Sequence, residues 1–430
     1  MDFLPKKEKP TTNNNKGSSP GFYGFGSDLS SPVESVMGST ETESEEEDYL
    51  TGLTRKFCKS TLSGRFLEIR FQFQGMHKTY ILEKKMVVFY IFLVLFLDFG
   101  RSEGGGGGGR PPPEKWGGGG ATAAKYETIV VDKSGSGNYT TIQAAIDAIP
   151  STNMQWICVY VKTGIYNEQI KIPNNKPMIY LKGDGKRKTY VVWSSHGSIE
   201  TDATFTSEAD DVVVKSITFI NSYNYPLASN NHPIAPALAA KISGDKSAFY
   251  RCGFMGVQDT LWDVAGRHYF KLCSIRGAVD FIMGSGQSIY ERCTVSVIAG
   301  FLTPQPGFIT AQSRDDPSET NGFVFKDCNV IGNGTTYLGR PWRGHARVLF
   351  YNSTLSDIVV PEGWLDGDFG GSTVDDLVFA EDSCRGGGSG TSGRPGWERW
   401  LSKEEVWRLT SMSYIDEEGW IRDQAFNMLP

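Results

Sequence analysis

The chain is 430 residues long and carries 50 glycines, 12% aromatic residues and a formal net charge of −6. That composition suits a turn-rich β protein, and a solenoid can use about 300 residues as one domain. The acidic excess lies in residues 121–430 and argues against a nucleic-acid partner, while none of the seven cysteines has the C-x-x-C spacing of a zinc site, so no metal or other cofactor is expected.

Residues 1–85 read as no folded domain: a start rich in Asn, Ser, Gly and Lys gives way to an acidic run at 41–48. Lys84 and Lys85 then precede an apolar run at 86–97. Spanning a bilayer takes about 20 residues, so this shorter run suits the core of a secretory signal, and 86–100 is read as signal-like. Its late position predicts that translation starts at Met76 or Met86, that the preceding stretch is a gene-model extension, and that the mature chain begins after residue 97. Residues 101–120 are rich in glycine and proline and form a flexible linker. Sequons at Asn138, Asn333 and Asn352 fit a secreted protein.

From residue 121 the pattern changes. A helix is predicted over 142–149, with Ile142, Ala145, Ile146 and Ile149 on one face and Pro150 as its stop. A strand-like run stands before it at 128–131, and others follow at 157–161, 178–182, 212–219, 248–254, 268–275, 288–295, 323–330 and 347–355. Several share an aromatic-then-polar cadence, and Cys252, Cys273 and Cys293 keep a beat of about 20 residues. Such a repeat predicts an all-β, right-handed parallel β-helix, its open end capped by the early helix. A late helix over 402–410 and a packed tail over 411–430 complete the reading. Adjacent coils bring Cα atoms to about 5 Å, inside the span of a disulfide, so Cys252–Cys273 and Cys293–Cys328 are plausible pairs; free buried thiols are the alternative.

Two acids stand one repeat apart: Asp259 in Gln258-Asp259-Thr260-Leu261-Trp262, and Asp280 in Asp280-Phe281-Ile282-Met283-Gly284. Strands on neighbouring coils lie about 4.8 Å apart, so a one-coil offset sets these carboxylates side by side. Two such groups cannot both ionise easily; one becomes an acid and the other stays an anion able to attack. An arginine decides which, and Arg340, held between Gly339 and Pro341, is the candidate. His232, His268 and His345 read as structural or surface residues, and Glu168 as structural.

Four motifs stand in order: Gly164-Ile165-Tyr166-Asn167-Glu168, Gln258 to Leu261, Asp280 to Gly284, and Leu338-Gly339-Arg340-Pro341-Trp342. Together they resemble the pectin methylesterase family over residues 125–425, in its short type without an inhibitor-like pro-region. The resemblance implies that Asp280 is the nucleophile, Asp259 the acid and then the base, Gln258 the oxyanion donor and Arg340 the residue that positions Asp280. Trp342, Trp262 and Trp364 would offer apolar faces to sugar rings, with Met283 beside them. The substrate implied is methyl-esterified pectin (homogalacturonan) in the cell wall, with a proteinaceous inhibitor as a further partner and a monomeric enzyme. The resemblance also points to the disulfides named above. Two departures stand out: Pro236 occupies the place of a second glutamine, and Met283 replaces an aromatic residue. Two rival functions remain at this point, a β-helix glycosidase using the same acid pair and a wall-binding protein without activity.

Overall fold

The computed structural model describes residues 126–425, except 226, 228–232 and 368–372, together with the backbone of 59–63, 66–73 and 76–83. The apolar run at 86–97 and the linker at 101–120 lie outside the described residues, as does His232. Among the described residues no helix is long and apolar enough to cross a membrane.

Three parallel sheets of ten, eight and seven strands run the length of a right-handed β-helix. Each strand pairs with its counterpart one coil on, as Ser274 pairs with Gly253 and then with Thr294. The long runs read from the sequence prove to be two strands each. The run at 248–254 is Ser247–Tyr250 and Gly253–Met255, and that at 268–275 is Arg267–Lys271 and Ser274–Gly277. Between them sits one residue in the left-handed region: Ser216, Arg251, Leu272, Arg292, Asp327 and Asn352 in successive coils, with φ between 47° and 60°. That conformation is costly for a side-chain-bearing residue and is held only where the surrounding ladder enforces it.

The residue after each corner turns into the core. There stand Ile217, Cys252, Cys273, Cys293 and Cys328, all essentially buried, which explains the cysteine beat. The expected disulfides are absent: all four of these cysteines are free thiols. Each sulfur is aimed along the axis and donates to a carbonyl of the preceding coil: Cys252 to Val214 at 3.5 Å, Cys273 to Phe249 at 3.3 Å, Cys293 to Phe270 at 3.4 Å and Cys328 to Tyr290 at 3.1 Å. Burial pushes the thiols of Cys252, Cys273 and Cys293 well above their ordinary range. The aromatic cadence has an equally local cause. Phe249, Phe270, Tyr290, Phe325 and Phe350 form one stacked ladder with centroids 4.5–4.9 Å apart.

Helix α1, Ile142–Ala148, covers the amino-terminal end and buries Ile142, Ala145 and Ile146. Thr141 caps it, and the Glu168 carboxylate accepts from the amides of Ile142 and Gln143 at 2.9–3.0 Å. The last residue of the first motif is therefore a helix cap. Helix α2, Lys403–Thr410, opens with a capping box between Ser402 and Glu405. Beyond it, Ile415, Trp420 and Ile421 pack with Tyr180, Tyr250 and Tyr269 on the outer face of the ten-stranded sheet. Residues 59–83, read from the sequence as part of an unfolded leader, contain an antiparallel meander of Lys59–Ser63, Phe66–Phe73 and Met76–Glu83.

The connections from the eight-stranded to the seven-stranded sheet differ in length from coil to coil. Those at 167–169, 256–260, 278–281 and 334–335 are short; those at 194–204, 222–239 and 299–306 are longer. The short turns at 256–260 and 278–281 carry Asp259 and Asp280.

Candidate active site

Both acids occupy left-handed corners, Asp259 at φ 57° and Asp280 at φ 47°. Aspartate tolerates this region better than most residues. Each turn is tight. A Cβ at Gly256 would stand 2.6 Å from Thr260 Oγ1, and one at Gly277 only 2.2 Å from Phe281 Cβ. The amide of Asp259 donates to Val279 O at 3.0 Å, and that of Leu261 to Phe281 O at 3.0 Å, so the two turns repeat each other one coil apart. Asp259 and Asp280 are 9% and 3% exposed.

Strands Leu261–Asp263, Ile282–Gly284, Gly307–Gln312 and Thr336–Pro341 continue from these turns in the seven-stranded sheet. Their register sets Lys241, Trp262, Met283, Ala311 and Arg340 in one row along the axis. Arg340 therefore stands two coils beyond Asp280's and reaches it past the small side chain of Ala311. Its Nε donates to Asp280 Oδ1 at 2.8 Å and its Nη2 to Oδ2, a two-toothed grip. The guanidinium lies 4.3 Å from the centroid of the Phe308 ring, which itself stacks on Tyr337 at 5.3 Å. Neither aromatic was singled out in the sequence. The signal was there in the strand register, which places Phe308 opposite Tyr337 and Ala311 opposite Arg340.

This grip divides the acids. Burial, and then the charge of Asp280, push the Asp259 carboxyl up to about 7, with Arg340 opposing. The Arg340 guanidinium is held above its ordinary value by its bonds to Asp280. At neutral pH the site offers one carboxyl able to give a proton beside one oriented carboxylate. Gln258 lies half-buried next to Asp259, its carbonyl accepting from Ala237 N at 3.2 Å.

A family model described as Pectinesterase matches residues 128–418. The chain belongs to the pectinesterase family. It is a carboxylic ester hydrolase with the activity of a pectin methylesterase. Probable pectinesterase 29 from Arabidopsis thaliana is 52% identical over 300 residues, covering 69% of this chain and 89% of the relative. Among solved structures, the pectin methylesterase from carrot aligns with a TM-score of 0.63 at 30% identity, covering 70% of this chain and 97% of that one. The Aspergillus niger pectin methylesterase in deglycosylated form aligns with a TM-score of 0.59, also at 30% identity, over 69% and 95% of the two chains.

In this pectinesterase the expected sugar contacts separate. Trp262 and Met283 are neighbours in the row beside the acids, in one apolar patch with Leu238 and Ala311. Trp342, two residues past Arg340, is 57% exposed. Trp364 is not a sugar contact: it is 2% exposed and stacks on Phe379 at 4.7 Å, extending the internal aromatic ladder. A residue paired in register with Gly339 can face inward or outward, and Trp364 faces inward. Pro236 lies half-buried just before Ala237, in a loop whose Ala235 exchanges two hydrogen bonds with Asn224 at 2.8 and 3.1 Å. His268 is structural, buried with Nδ1 2.5 Å from Asp263 Oδ1, while Ser288 and Tyr290 donate to Asp263 Oδ2 at 2.5 and 2.7 Å. That network anchors the strand that carries Trp262.

Proposed function

We propose that this pectinesterase hydrolyses the 6-methyl esters of homogalacturonan through an acyl-enzyme on Asp280. Asp280 attacks the ester carbonyl carbon, and the Gln258 amide donates to the oxygen that gains charge. The intermediate collapses as its C–O bond to the methoxy group breaks. Asp259 gives its proton to that oxygen and methanol leaves. The anhydride between Asp280 and galacturonate is then opened by water, whose proton passes to Asp259. Asp280 is restored as a carboxylate in the grip of Arg340, and the polymer keeps a free acid.

The observation that carries this reading is the two-toothed Arg340–Asp280 pair beside a carboxyl pushed up to about 7. A general acid with that titration point is half-protonated near neutral pH, so methanol formation falls as pH rises through about 7. The test is methanol release from methylated pectin with viscosity followed in parallel. Methanol without a viscosity drop supports an esterase, a viscosity drop points to chain cleavage, and neither points to a binding protein. The same reading has the protein act in the cell wall as a monomer, exported by residues 86–100, with a proteinaceous inhibitor as its partner. Amino-terminal sequencing of secreted material that read through residues 1–85 would refute that export route.

A further inference from the structure

Beyond the acids, the row on the seven-stranded sheet holds a cation that the reaction does not use. Lys241 stands one strand before Trp262 and two before Met283, hence roughly 10 Å along the axis from the coil of Asp280. Its side chain is only 11% exposed, and its ammonium lies 4.8 Å from the centroid of the Trp262 ring. Its charge is met by Glu200, whose carboxylate pairs with Lys241 Nζ and whose carbonyl accepts from it at 3.2 Å. Glu200 is 63% exposed.

The loop that carries Glu200 is built to present it there. The Asp202 carboxylate accepts from Ser195 Oγ at 2.9 Å, Ser198 N at 3.0 Å and Thr201 Oγ1 at 3.0 Å, fastening the loop from within. Ile199, the neighbour of Glu200, packs into the apolar patch that contains Met283 and Trp262. A protein carboxylate is thus held on a largely buried lysine, beside an aromatic face, in line with the nucleophile. A de-esterified galacturonate unit carries the same group on a ring with an apolar face.

We propose that Lys241 and Trp262 form a subsite for a free galacturonate on the amino-terminal side of the reacting ester, and that Glu200 is its built-in competitor. The inference rests on the reading that the substrate is a methyl-esterified polyuronate. When a unit with a free acid arrives, its carboxylate takes the place of Glu200 on Lys241 and its ring lies against Trp262. Glu200, the exposed member of the pair, can swing away into solvent, so the exchange is open to a polymer already held elsewhere in the site. Glu200 therefore sets how strongly the enzyme favours esters next to units that have already lost their methyl group.

The experiment measures kcat and KM for methanol release on fully methylated and on partly de-esterified pectin, for wild type, Glu200→Gln, Lys241→Gln and the double variant. Glu200→Gln is expected to lower KM on the partly de-esterified polymer about fivefold, with the fully methylated one moving less than about twofold. Lys241→Gln is expected to raise KM on the partly de-esterified polymer and to cancel the effect of Glu200→Gln in the double variant. Binding of a fully de-esterified oligogalacturonate, measured by calorimetry, is expected to tighten about fivefold in Glu200→Gln. Equal shifts on both polymers, no shift, or persistence of the effect without Lys241 would overturn the proposal. If wild type releases methanol and the KM ratio does not move, only this inference fails. If no methanol comes from either polymer, the reaction itself is misassigned and the inference falls with it.

Discussion

At the scale of single residues, the site is a problem of assigning one negative charge to one of two acids. Arg340 solves it by geometry, since its planar fork meets both oxygens of Asp280. Asp280→Asn is therefore expected to abolish methanol release in a folded protein, and Asp259→Asn to lose most of it. Arg340→Lys is expected to fail as well, because a point charge does not reproduce the fork. Turnover within about tenfold of wild type in Asp280→Asn, read by methanol assay, would contradict the assignment. Phe308 supports Arg340 from beneath. Its replacement by Leu removes a cation–π contact of about 0.5–2 kcal/mol, so kcat is expected to fall by up to about thirtyfold with little change in KM. The meeting of Asp259, Asp280 and Arg340 was legible in the sequence because a motif travels with each. Phe308 was not, since its role comes from a strand pairing between residues distant in the chain. Trp364 was misplaced because an aromatic beside a glycine turn carries no mark of which face it will take.

At the scale of elements, the repeat was readable and its corners were not. The aromatic and cysteine cadence announces a coil, because each coil buries the same two positions. Yet Arg251, Leu272 and Arg292 hold left-handed corners with none of the residues that ordinarily favour such turns. Runs such as 268–275 thus look like unbroken strands, and only the stacked ladder bends them. The amino-terminal cap shows the opposite case, with a local signal that proved complete. Helix α1 begins where predicted, and its remaining amides are met from a distance by Glu168. Glu168→Ala is expected to lower stability by about 1–2 kcal/mol without changing kcat. Thermal unfolding beside a methanol assay checks both halves of that expectation, and a loss of kcat at unchanged melting temperature would make Glu168 a site residue.

At the scale of the molecule, two raised carboxyls tie stability to pH. Asp259 rises from the ordinary 3.8 to about 7, and Glu398 rises from 4.5 to about 7 through burial and the nearby Glu381, with Arg394 opposing. A carboxyl raised by folding binds more protons in the native than in the unfolded chain. Stability is therefore highest below about pH 4 for these two groups and declines as pH climbs from about 4 to about 7, by up to about 4 kcal/mol for Asp259. Asp259→Asn is expected to flatten part of that decline and to raise the melting temperature at pH 7. Denaturant titrations across pH 4–8 test it, and an identical pH profile in the variant would count against the raised carboxyl. The thiol ladder bears on how the molecule can be made. Because the cysteines of the coil core donate to carbonyls and do not join each other, the described β-helix takes its native form without an oxidising step. A reductant is expected to leave the melting temperature unchanged, and the enzyme should mature in a bacterial cytoplasm as readily as along a secretory route.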